Sequence, residues 1–255
     1  MALSDDDLDR YARHIVLREI GGPGQARLRK ARVLSIGAGG LGAPVLMYLA
    51  AAGIGTLGVV DDDVVDLSNL QRQVIHTTGA IGQPKTDSAA ATLAGVNPGV
   101  AVIGHSLRLT AENAARIIGG YDLVCDGSDN FDTRYLVNDT CARAGIPLVA
   151  GAIGQWDGQV SLYDPANGTP CYACVFPEAP AEGLAPSCAQ AGVVGALPGI
   201  IGSMMAMEAI KHLTGAGETL AGRLFVYDAL AAEGRTLKLR RNAGCGVCGG
   251  LVWNG

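Results

Sequence analysis

No long run of Lys or Arg occurs in the chain, and its formal net charge is −5. A protein whose main partner is nucleic acid needs a basic stripe or patch, so that class is disfavoured. Charge of either sign is scarce, 17% of residues against 49% apolar. Disordered chains show the reverse balance, so a substantial core is expected. The N-terminal residues MALSDDDLDRYARH lack the apolar segment of a secretory signal. The nearest thing to a membrane span lies between Glu182 and Glu208, and it is interrupted by Pro186, Ser187, Cys188, Gln190, Pro198 and several glycines. A loop followed by a buried helix suits it better than a spanning helix. The expected location is therefore cytoplasmic, with no membrane partner. The seven cysteines are odd in number, which argues against a disulfide framework. There are no internal repeats and no linker long enough to divide two domains.

What the chain has is glycine, 37 residues, about twice ordinary usage. Residues 5–20 read as one amphipathic helix stopped by Gly21-Gly22-Pro23-Gly24, and GQARLRKA as a short helix or turn. RVLSIGAG suits a buried parallel strand. Residues 41–52 read as a helix with Pro44 in its first turn, where proline is tolerated. TLGVVD follows as a second strand, completing a βαβ unit. The alternation continues through KTDSAAATLAGV, VAVIGHSLRL, ENAARIIGG, YDLVCDGSD, RYLVNDTCARAG and IPLVAGAI. The fold class is thus α/β, a Rossmann-like doubly wound sheet over about 28–155. GQVSLYDP then looks antiparallel, 166–190 irregular and 199–213 helical, and RLFVYDAL pairs with GRTLKLRR. The whole of 1–255 reads as one unit, in which 156–255 forms a second part.

Gly37-Ala38-Gly39-Gly40-Leu41-Gly42 fits G-x-G-x-x-G between a strand and a helix, the context of a phosphate-binding loop. Asp61, 19 residues after Gly42, is placed to bond ribose hydroxyls. A bare glycine loop suggests a dinucleotide and hydride transfer. Asn69, Arg72, Gln73 and Lys85 instead gather cationic and polar groups near one phosphate site, which favours ATP. Asp126 and Asp129, in CDGSDN, fall at the carboxyl end of a strand, where a carboxylate can hold Mg²⁺ on phosphate oxygens.

Cys171-x-x-Cys174 and Cys245-x-x-Cys248 are two thiolate pairs, enough for a closed tetrahedral Zn²⁺ site. A redox C-x-x-C is the alternative, but such a pair usually opens a helix in a thioredoxin-like pattern, and Pro170 and the glycines around 244–250 suit zinc knuckles better. Cys125 and Cys141 read as buried thiols. For Cys188, in EGLAPSCAQAG, two readings stand: a spectator in a loop, or a thiolate whose pKa is lowered at a helix N-terminus.

The motifs RYARHIVL, GAGGLG, SNLQRQ, GQPK, SDN, CYAC and GCGVC, in that order, resemble the E1-like activating enzymes of the ThiF/MoeB group, from about residue 9 to 249. The resemblance implies binding of Mg-ATP and of the C-terminal Gly-Gly tail of a ubiquitin-like sulfur-carrier protein. The tail carboxylate attacks the α-phosphate, giving an acyl-adenylate and pyrophosphate. By motif, Gly40 lies at the phosphates and Asp61 at the ribose, with Ser68, Asn69, Leu70, Gln71, Arg72, Lys85 and Asn130 contributing to the nucleotide site. Asp129 holds Mg²⁺. Arg13 reaches the site of a partner subunit, which implies a homodimer, and part 156–255 handles carrier and zinc. Cys188 matches a cysteine implicated in covalent linkage in some relatives. The match is greatest to the branch that adenylates a MoaD-like carrier for molybdenum cofactor biosynthesis; a ThiS-like carrier for thiamin thiazole is the alternative. Some relatives carry a rhodanese-like domain after this part, so the expected sulfur donor is a separate protein. An NAD(P)-linked oxidoreductase lacks a matching acid, and a non-catalytic zinc scaffold is at odds with Arg13, Arg72, Lys85 and Asp129 all being present.

Overall fold

The apolar run after Lys30 forms β1 (Arg32–Ile36), buried at four of its five positions because helices cover both faces of a parallel sheet. A computed structural model describes residues 3–180 and 191–250. β1 pairs in parallel with β2 (Thr56–Val60) on one side and β4 (Leu123–Asp126) on the other. β3 (Ala101–His105) lies outside β2, and β5 (Leu148–Ile153) beside β4. β6 (Asp157–Tyr163), β7 (Arg223–Asp228) and β8 (Glu233–Lys238) then add in antiparallel fashion. The order is β3-β2-β1-β4-β5-β6-β7-β8. Chain direction across the sheet switches between β1 and β4, and ligands of such sheets bind outside the strand ends at that crevice. The register puts Ile36 opposite Asp126, so the glycine loop and the SDN turn leave the sheet side by side.

Helices α1 (Asp5–Arg10), α2 (Ala12–Ile15) and α3 (Gly21–Lys30) precede the sheet. The crossovers carry α4 (Gly42–Ala51), α5 (Lys85–Val96), α6 (Ala111–Ile118) and α7 (Phe131–Ala144). After β6 come the single turn α8 (Tyr172–Val175) and α9 (Leu197–Thr214). Leu46 and Leu49 of α4 pack with Ile201 and Met205 of α9 on one face of the sheet. Ile117, Ile118 and Val137 cover the other. Among the described residues, no helix is long and apolar enough to cross a membrane.

The N-terminal region differs from its pattern. The expected single helix over 5–20 is two short helices broken at Tyr11, followed by turns. Tyr11 is buried, and its hydroxyl accepts from Asn97 Nδ2 at 2.8 Å. A Cβ on Gly53 would sit 2.4 Å from the Tyr11 ring. This distant anchorage overrides the local helical period. The glycines expected to stop the helix instead open α3, with Pro23 in a first turn that needs no N–H from it.

Candidate functional site

Two of the loop glycines are required by geometry. Gly37 has φ +90°, and a Cβ on Gly42 would lie 2.0 Å from the Gly37 carbonyl oxygen. Gly40 packs on Pro198 of α9, whose ring would meet an added Cβ at 3.2 Å. Among the described residues no acceptor takes the N–H groups of Gly39, Gly40 or Leu41. These donors sit at the N-terminal end of α4, where the helix dipole favours an anion.

The loop borders a cavity of about 940 Å³. Gly40, Asp61, Arg72, Lys85, Asp129 and Asn130 all line it. Asp61 Oδ2 accepts from Ala38 N–H at 2.8 Å and Oδ1 from Asp63 N–H at 2.9 Å, so this carboxylate braces the loop. Burial pushes its pKa up, opposed by the Ala38 N–H and by the Lys85 charge. Lys85 begins α5, is 5% exposed, and places Nζ 2.8 Å from Asp63 Oδ2. Arg72 donates to the Ser68 carbonyl at 3.1 Å. Asp126 is buried and accepts the Ser128 N–H, leaving Asp129 as the exposed carboxylate of the turn. Asn130 lines the cavity, but its Oδ1 accepts from Thr133 N–H and caps α7.

Ser68, Asn69, Leu70 and Gln71 are not among the residues lining the cavity. Ser68 bonds Asp66, Asn69 Nδ2 donates to Ser68 Oγ, and Gln71 packs against Gly195. Arg13 lies exposed on α2, away from the cavity lining of its own chain. Cys188 falls in 181–190, outside the described residues. Sequence reasoning missed Arg108, Arg134 and Gln159, which reach the cavity from the loop after β3, from α7 and from β6. Arg134 is 8% exposed and donates to the Ser128 carbonyl, bracing the SDN turn. Its signal was its place one turn into the helix after that motif. Gln73, noted in the sequence, is buried on the cavity wall, and its Oε1 has no partner among the described residues.

The four paired cysteines converge. Their sulfurs all lie within 4.8 Å of one another, at 3.8 Å for Cys171–Cys174, 3.7 Å for Cys171–Cys245 and 3.4 Å for Cys174–Cys248. Zn–S bonds of about 2.3 Å in a tetrahedron give edges of about 3.8 Å. The donor set therefore fits zinc. Asn242 N–H donates to Cys174 Sγ at 3.5 Å, and Asn138 Nδ2 to Cys171 Sγ at 3.9 Å. Burial raises the Cys245 thiol, but the N–H groups of Cys248 and Val247 together with hydrogen bonds to Cys171 and Cys174 bring its pKa down to about 7.

A family model described as "ThiF family" matches residues 11–247. The chain is 53% identical to the sulfur carrier protein adenylyltransferase of Thermus thermophilus, over 98% of this chain and 93% of that one. It is 51% identical to the SAMP-activating enzyme E1 of Haloferax volcanii, over 98% and 92%. A solved structure of E. coli MccB with AMPCPP and MccA superposes with a TM-score of 0.83 at 22% identity, covering 94% of this chain and 74% of that one; this likeness speaks to the fold.

Proposed function

The chain belongs to the ThiF family, and from that premise we propose that it is an adenylyltransferase for a ubiquitin-like sulfur carrier. The observation that carries this reading is the one cavity shared by the unpaired loop N–H groups, Arg72, Lys85 and Asp129. In the proposed reaction the carrier's C-terminal glycine carboxylate attacks the α-phosphorus of ATP. A carboxylate–phosphorus bond forms, the bridging bond to the β-phosphate breaks, and pyrophosphate leaves. No general base is needed, because a carboxylate is ionised at neutral pH. The protein aligns the reactants and neutralises the charge growing on the phosphates.

The loop N–H groups take the phosphate oxygens, and Arg72 and Lys85 compensate their charge. Lys85 exchanges Asp63 for phosphate as ATP arrives. Asp129 is the residue that would hold Mg²⁺, whose charge would offset that of the phosphates. Ile153 and Gln159, which line the cavity from β5 and β6, would border the route of the thin Gly-Gly tail. Arg13 is supplied to this cavity by a second copy in a homodimer. The carrier proposed is MoaD-like, for molybdenum cofactor biosynthesis; a ThiS-like carrier is the alternative within the same chemistry. The four cysteines would hold zinc as a structural staple, with no role in the adenylation. Mixing the protein with ATP, Mg²⁺ and each candidate carrier tests this: a carrier–AMP adduct should form on one, and a carrier lacking its last glycine should give none.

A further inference from the structure

His76 belongs to no helix or strand, yet it is 6% exposed and both ring nitrogens are engaged. Nε2 lies 2.9 Å from the Ala38 carbonyl oxygen and Nδ1 2.9 Å from Ser88 Oγ. A carbonyl only accepts, so Nε2 carries the proton. Burial lowers the pKa of the ring and favours the neutral form. Nδ1 is then an acceptor, and the Ser88 hydroxyl donates to it.

The other side of Ala38 is pinned as well, its N–H donating to Asp61. Peptide units on both flanks of Ala38 are thereby fixed. The 38–39 peptide is trans, so the Gly39 N–H points opposite to the Ala38 carbonyl, away from His76. That N–H has no acceptor among the described residues, and Gly39 lines the cavity. Glycine has wide backbone freedom, and an unheld peptide next to it can turn over. Ser88 stands three residues after Lys85 on α5, the spacing of side chains on one helix face. One helix thus supplies both the buried ammonium and the hydroxyl that holds Nδ1 of the imidazole.

We propose that His76 is a positioning residue of the nucleotide site: through the Ala38 carbonyl it aims the Gly39 N–H at the phosphates, in concert with Asp61. This inference rests on the ATP reading of the cavity. It assigns His76 no contact with substrate and no proton transfer.

The test is calorimetric titration of the full chain with Mg²⁺ and an ATP analogue carrying a methylene between the α- and β-phosphates. Gln offers an amide N–H near the position of Nε2, whereas Asn ends near Nδ1 and falls short of Ala38. His76→Gln should bind within about threefold of wild type, while His76→Asn should bind about tenfold more weakly, the range of one lost hydrogen bond. Melting temperatures of the two variants should fall alike, which separates positioning from packing. Equal analogue affinity for wild type, Gln and Asn forms would overturn the inference and leave the ATP reading intact. Failure of the wild type itself to bind the analogue would instead remove the ATP reading. If Asn prevents folding, Ser88→Ala serves in its place. It removes the bond that holds Nδ1 without touching the ring, and should weaken binding about two- to fivefold; unchanged affinity there would count against the inference.

Discussion

The glycine loop and the cysteine cluster are organised by different physics. The loop is preformed: Gly37 and Gly42 fit only as glycines, Asp61 and His76 hold Ala38 from two sides, and buried apolar residues of α4 and α9 lie beneath. The cluster depends on what the sulfurs bind. It joins the segment at α8 to residues 245–248, and the strand leading there, β8, is exposed at all six positions. Little apolar burial holds that end in place. One region should therefore keep its shape without a ligand, and the other should lose it.

Stripping metal gives the largest contrast. Apparent zinc affinities of small Cys sites reach about 10–16 kcal/mol, so chelation or Cys248→Ser should release the C-terminal segment. Limited proteolysis after residue 238 should rise sharply, with analogue affinity changed less than about threefold. A parallel loss of nucleotide binding would show that the two regions are coupled.

Asp129→Ala acts in the opposite direction. Carrier-dependent ATP–pyrophosphate exchange should fall about 10²–10³-fold, the range for losing one electrostatic stabiliser, with the melting temperature little moved. Exchange at the wild-type rate would remove the magnesium role from Asp129. Gly42→Ala probes the steric basis of the loop. A methyl 2.0 Å from the Gly37 oxygen forces the backbone apart, at about 1–3 kcal/mol by analogy with overpacked cores. Urea unfolding measures this, and a stability equal to wild type would mean the loop is less rigid than its geometry implies.

The pH dependence is subtler. Burial depresses the His76 pKa, Lys85 depresses it further, and the Ala38 bond and Asp61 oppose them. As pH falls through the ordinary histidine value of about 6.5, the unfolded chain takes the proton first. Stability from this group is thus full above about 6.5 and declines below it, and His76→Gln should flatten that slope. His105 shifts in the same direction, so the variant-minus-wild-type difference is the quantity to read. The smallest effect belongs to Asp63→Asn. Asp63 competes for Lys85 but is 69% exposed, so its loss should tighten analogue binding by no more than about threefold.

The same contrast governs how much was legible beforehand. The βαβ alternation, the glycine loop and the two C-x-x-C pairs are local patterns, and local patterns survive in one dimension. The mixed sheet matched them, and Gly40, Asp61, Arg72, Lys85 and Asp129 line one cavity. What escaped was set by contacts between distant segments. The break at Tyr11 follows from Asn97, 86 residues away. Lys85 finds Asp63 among three consecutive aspartates, and nothing in that run singles it out. Arg108 and Gln159 look like ordinary surface residues until β3 and β6 bring them to the crevice.

The most direct measurement of the central claim is mass spectrometry of a small carrier ending in Gly-Gly after incubation with the protein, ATP and Mg²⁺. AMP is expected on the terminal glycine carboxylate, with release of pyrophosphate, and loss of both for Lys85→Ala. Tight binding of ATP with no adduct on any MoaD-like or ThiS-like carrier would contradict it.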